Sequence, residues 1–192
     1  MAGARPLDVD APDWVGIGRF RFQVIARHGA HFLRLADNES PSRHDFPGCS
    51  WYPPDERYRV TATFVGHEPG DTLRLVDVSG RAIERPCPGH AEFVLGGRRL
   101  RLDAVGEETG LFFVFRDATA ADTTYPGGRF IDVAGIPADG ATFLLDFNRA
   151  YNPPCAVSAF TTCPTPPPQN VLATRVEAGE RYPPAGQGGG GR

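Results

Sequence analysis

Apolar and polar positions alternate along most of this chain. From Arg19 the period is two, with Phe20, Phe22, Val24 and Ala26 on one side and Arg19, Arg21, Gln23 and Arg27 on the other. "HGA" interrupts the pattern and "HFLRLAD" resumes it, which predicts a hairpin. Further strand patterns follow in "RYRVTATFVG", "DTLRLVDVSG", "GLFFVFRD", "GGRFIDVAG" and "ATFLLDFN". Between them "AEFVL–GG–RRLRLDAV" reads as a hairpin with a Gly-Gly turn, Leu100, Leu102 and Ala104 facing inward and Arg99, Arg101 and Asp103 outward. The aromatic density of "GLFFVFRD" predicts a central strand covered on both faces. Glycine and proline punctuation leaves no room for an amphipathic helix, only for a short turn near "DATAADTTY". The expected fold is all-β, an antiparallel β-sandwich or barrel-like domain of roughly eight to ten strands with a long proline-rich C-terminal loop.

This pattern predicts one β domain over residues 13–182. A poorly ordered lead-in over 1–12 precedes it, and a flexible glycine-rich tail over 183–192 follows. The turn-rich stretch "NESPSRHDFPGCSWYPPDE" reads as a loop whose Trp51 and Tyr52 are expected to dock on the core.

Charge narrows the partners. The formal net charge of −3 gives no field that would gather nucleic acid or anionic lipid. All 20 basic residues are Arg, a mark of codon usage more than of arginine chemistry. The N-terminus has no apolar segment of signal-peptide type, and runs such as "GLFFVF" are too short to span a bilayer. A cytoplasmic protein with neither membrane nor nucleic-acid partner is the expectation. The 4 cysteines are too few for a disulfide-built fold.

The largest departure from simple packing is "LLDFNRAYNPPCAVSAFTTCPTPPPQN", residues 144–170. Alternation in "TFLLDFN" sets Phe143, Leu145 and Phe147 on one face and Leu144, Asp146 and Asn148 on the other, the two polar groups roughly 7 Å apart along the strand. They either present polar groups at a strand end or cap the irregular turn that follows. The prolines of "YNPPC" stiffen the loop and hold Asn152 extended. Cys155 and Cys163 read first as reduced structural thiols, then as a disulfide, then as metal ligands, then as catalytic groups. "CPGH" sets Cys87 and His90 at a suggestive spacing, but the five histidines otherwise fall in separate hairpin turns and loops, and no metal and no cofactor is expected. Upstream, Gly127–Gly128 permits close approach before Arg129, which is either a fork for an anion or the partner of Asp117 or Asp146.

The blocks "FRDATAADTTYPGGRF", "LDFNRAYNPPCAVSAFTTCPTPPPQNVL" and "EAGERY", with "RLADNESPSRHDFPGCSWYPPDERYRVTATF" upstream, resemble the bacterial and archaeal family called domain of unknown function 1684, over roughly residues 15–182. Many members carry a further N-terminal region, so the resemblance implies a reduced version with an open edge or a partner. It implies no reaction. It does imply which residues matter: Asp117, Thr124, Tyr125, Gly128, Arg129, Asp146, Asn148, Tyr151, Asn152, Cys155, Cys163, Asn170 and Glu180, with His28, His31 and His90 outside the pattern. The leading expectation is a small polar or anionic ligand held by Arg129, Asp146, Asn148, Tyr151, Asn152, Tyr125 and Glu180. The alternatives are a hydrolase using Asp146 with a second carboxylate such as Glu180, and a structural clasp without a ligand.

Overall fold

A computed structural model describes residues 14–27 and 30–182. The lead-in over 1–12, the tail over 183–192 and the turn at His28 and Gly29 lie outside the described residues. Contacts divide the chain into two units, 1–48 and 49–192.

The first unit is a meander of β1 (Val15–Ile17), β2 (Phe20–Arg27) and β3 (Ala30–Asp37), paired antiparallel in that order. The expected hairpin is there, with Phe20 opposite Asp37 and Arg27 opposite Ala30. After it comes a single helical turn, α1 (Pro41–His44), which turn-forming residues had disguised as plain loop. No described side chain of this unit is buried.

The second unit carries the core. Its strands are β4 (Ser50–Trp51), β5 (Arg59–Gly66), β6 (Thr72–Asp77), β7 (Ala82–Pro86), β8 (Gly89–Leu95), β9 (Arg98–Glu107), β10 (Gly110–Phe115), β11 (Arg129–Ala134), β12 (Thr142–Asp146), β13 (Pro164–Thr165) and β14 (Glu180–Arg181). Six form one sheet in the order β11-β10-β9-β8-β5-β12; β13-β6-β7 and β14-β4 form two smaller ones. All strand pairings are antiparallel, so the all-β expectation holds. Strands beyond the expected number are the pairings of two or three residues, too short to leave an alternation in the sequence.

Alternation sorts the core as read from the sequence. Leu102 and Ala104 are fully buried, and Phe113 and Phe115 of β10 are 0 % exposed. Phe147 lies between Phe93 and Phe115, each ring centroid 5.5 Å away. Burying one such ring stabilises by roughly 1.5–3 kcal/mol. Two sites depart from the pattern. Trp51 stays 48 % exposed, because β4 pairs only with β14. Asp103, expected outward, is buried because residues 169–170 and two histidines cover that end of β9.

β9 is shared between two pairings. Residues 98–104 pair with β8, and 105–107 with β10. Continuing the second register would set Val114 opposite Asp103. There the strands part and the buried Asn170 side chain fills the gap: its Oδ1 accepts from Asp103 N–H at 2.8 Å, and its Nδ2 donates to the Asp103 and Val114 carbonyls, each at 2.9 Å. One amide thus does the work of missing ladder bonds, as buried backbone groups require.

Candidate functional site

β12 ends at Asp146, and residues 147–149 turn into a 3-10 helix. The turn folds Asn148 back, so the two side chains meet instead of standing one strand period apart. Asp146 Oδ1 accepts from Asn148 N–H at 3.0 Å and from Asn148 Nδ2 at 2.9 Å, and Arg59 Nε stands 3.4 Å from Oδ2. Asn148 then bonds both backbone groups of Asp55: Nδ2 donates to the carbonyl at 3.0 Å, and Oδ1 accepts from N–H at 2.9 Å. Its amide imitates a strand neighbour.

Arg129 opens β11 and is 1 % exposed. It donates to Asp117 Oδ1 at 3.0 Å, to the Val176 carbonyl at 2.9 Å, to the Glu180 carbonyl at 3.5 Å and to the Ala178 carbonyl. Burial pulls its pKa down, against the pull of Asp117. Asp117 Oδ2 in turn accepts from Val176 N–H, Thr119 N–H and Thr119 Oγ1. Gly128 makes this approach possible: at φ +94°, a Cβ there would stand 2.6 Å from the Phe115 carbonyl oxygen. Of the two readings of Arg129, the geometry is that of the Asp117 partner, holding residues 176–180 against the sheet.

The other expected residues gather around this strap without forming one cluster. Glu180, 7 % exposed, accepts from Asn152 N–H at 2.8 Å. Asn152 Nδ2 donates to the Arg181 carbonyl at 3.0 Å, while its buried Oδ1 has no donor among the described residues. The Cys49 thiol donates toward Glu180, which raises its pKa. Tyr151 pairs by its backbone with Phe130, and its hydroxyl donates to Asp132 at 2.8 Å. Tyr125 donates to the Cys155 carbonyl at 3.3 Å. Burial raises both phenols. Cys155 N–H lies 3.3 Å from Cys163 Sγ, and burial pushes the Cys155 thiol up to about 11.

A second polar cluster escaped the sequence reading. His90 lies on β8, not in a loop, and stands in register between Val65 of β5 and Asp103 of β9. His67 follows β5 directly, its N–H bonded to the Pro88 carbonyl at 2.9 Å. His67 Nε2 meets His90 Nδ1 at 2.9 Å, and ligand atoms of His67, His90 and Asp103 all lie within 4.8 Å of one another. Cys87 Sγ stands 3.5 Å from His67 Nδ1. At 3 % exposure, with burial raising its pKa, this thiol is placed as a partner of the imidazole and not as a nucleophile. The available signal was register: "Val65", "His90" and "Asp103" align once β5, β8 and β9 are paired.

The comparisons give no activity. No curated protein matches the chain. The solution NMR structure of an uncharacterised protein from Haloarcula marismortui is similar, at 38 % identity over 74 % of this chain and 80 % of that one, with a TM-score of 0.62. Residues 44–181 match the family described as "Protein of unknown function (DUF1684)", a span that starts later than the expected 15–182. The chain belongs to the DUF1684 family.

Proposed function

We propose that this domain is a binding module for a small polar molecule, which it takes through hydrogen-bond acceptors at the junction of Asn152 and Glu180. The observation that carries the reading is Asn152 Oδ1, buried with no donor among the described residues and attached to the strap that Glu180 holds. An unmet buried acceptor costs about 1–3 kcal/mol, so a donor supplied from outside would be favoured there. With Arg129 committed inside the protein, the ligand need not be an anion. Hydroxyl- or amine-bearing molecules, which bring donors, fit these acceptors better. Acid–base hydrolysis is the weaker reading, since Asp146 is held by Asn148 and Arg59, and Glu180 belongs to a separate network around Asn152.

A thermal-shift panel of polyols, amines and small anions tests this. A ligand present at a hundred times its dissociation constant should add about 2.7 kcal/mol to wild-type stability. The Asn152→Ala variant should lose that response. If no compound shifts the wild type, or if the shift survives in Asn152→Ala, the reading is wrong.

A second reading is favoured by a separate observation, the pair of bonds from Asn148 to the Asp55 backbone. On that reading the 144–170 block is a folding clasp alone. Replacing Asn148 would then lower stability and leave ligand response untouched.

A further inference from the structure

We propose that His67, His90 and Asp103 form a binding site for a divalent transition-metal ion such as Zn2+. The site lies outside the Asn152–Glu180 junction and does not rest on that reading.

The register of three strands builds it. His90 and Asp103 are direct partners across β8 and β9, so both side chains leave the same face of the sheet. His67 lies two residues beyond Val65, the β5 partner of His90, and returns to that face at the strand's end. Asp103 is 5 % exposed and His90 8 %, so the donors converge where competing water is scarce.

The nitrogens also have the arrangement that metal-bound imidazoles show. The two rings are tilted by 47° with centroids 5.1 Å apart, and they meet through His67 Nε2 and His90 Nδ1. Each ring then offers its other nitrogen to a partner: His67 Nδ1 to Cys87 Sγ at 3.5 Å, and His90 Nε2 to Glu92 Oε1, also at 3.5 Å. Such outer partners fix ring orientation. Asp103 is aligned likewise, with Arg101 on Oδ1 at 2.6 Å and Gln169 on Oδ2 at 2.9 Å.

With a Zn–N length of about 2.05 Å, tetrahedral nitrogens stand roughly 3.3 Å apart, so the observed 2.9 Å opens by only a few tenths of an ångström on binding. Two imidazoles and one carboxylate suit Zn2+ and its neighbours and leave a fourth position for water. Cys87 faces the far nitrogen of His67, which assigns it to orientation and not to ligation.

The test uses the full chain, free of any affinity tag and stripped of metal. Co2+ should produce visible d–d bands with one ion bound per chain, and Zn2+ should displace it. Calorimetry with Zn2+ should show binding at least tenfold weaker in His67→Ala and His90→Ala, and weaker in Asp103→Asn, which keeps the backbone bonds to Asn170. His44→Ala, at an exposed position, should bind as the wild type does. Imidazole 15N shifts of the wild type on adding Zn2+ give a readout independent of the variants. Two imidazoles that only share a proton would leave those shifts unchanged and give no d–d bands, and either result overturns the proposal. So do bands that persist in the His67→Ala/His90→Ala double variant.

Discussion

At the residue scale the most consequential groups are buried polar side chains that hold backbone. Arg129 and Asp117 form a pair with both side chains 1 % exposed. Removing one partner strands the other charge, at a cost of about 3–5 kcal/mol. Asp117→Asn and Arg129→Met should therefore each lower the unfolding free energy measured by urea denaturation by that amount. Asn170→Asp keeps shape but deletes both donated bonds, leaving the Asp103 and Val114 carbonyls unmet. It should cost about 2–6 kcal/mol in the same assay, at roughly 1–3 per unmet group. Alkaline pH gives a third check. The thiol of Cys155 has its folded pKa raised to about 11, so its contribution is complete below the ordinary thiol pKa and disappears as pH climbs from about 9 to 11. Unfolding midpoints measured across that window should fall, and less steeply in Cys155→Ala. The family motif named Asp117, Gly128, Arg129, Asn170 and Glu180 from sequence alone. What the sequence could not carry was their role, because a buried arginine and a ligand-binding arginine look the same until the strap is placed.

At the element scale, alternation located strands well and failed at their ends. Phe143, Leu145 and Phe147 face the core as the period requires, yet Asn148 leaves the strand for a 3-10 turn. Capping chemistry decides that point: the Asp146 carboxylate attracts Asn148 N–H, and period two stops. Asn148→Ala should cost about 1–3 kcal/mol, since the Asp55 backbone loses both partners. Hydrogen exchange at the Asp55 amide should speed up before exchange in β12 does. The histidine cluster was illegible for a related reason. His67, His90 and Asp103 sit far apart in sequence, and only strand register brings them together. A short-range spacing motif has no way of recording that.

For the whole molecule, buried area is distributed unevenly. The second unit holds all three clusters of buried apolar side chains, whereas none of the described side chains of the first is buried. Local opening free energies follow such differences. Amides of β8, β9 and β10 should exchange only through global unfolding, and those of β1 to β3 orders of magnitude faster. Equal protection in the two units would contradict this account. The family match over residues 44–181 takes in every buried described residue, from Val60 to Glu180.

The strap also has a consequence for synthesis. Asp117, Arg129, Asp103 and Val114 are in place early in the chain, but the Asn170 amide and the backbone groups that bond them arrive with residues 170–180. A ribosome that has made all six strands of the large sheet still holds a nascent chain whose buried ion pair lacks its backbone partners and whose seam is unfilled. Folding should therefore wait for the last few turns of translation, and arrested chains ending before Val176 should remain sensitive to protease.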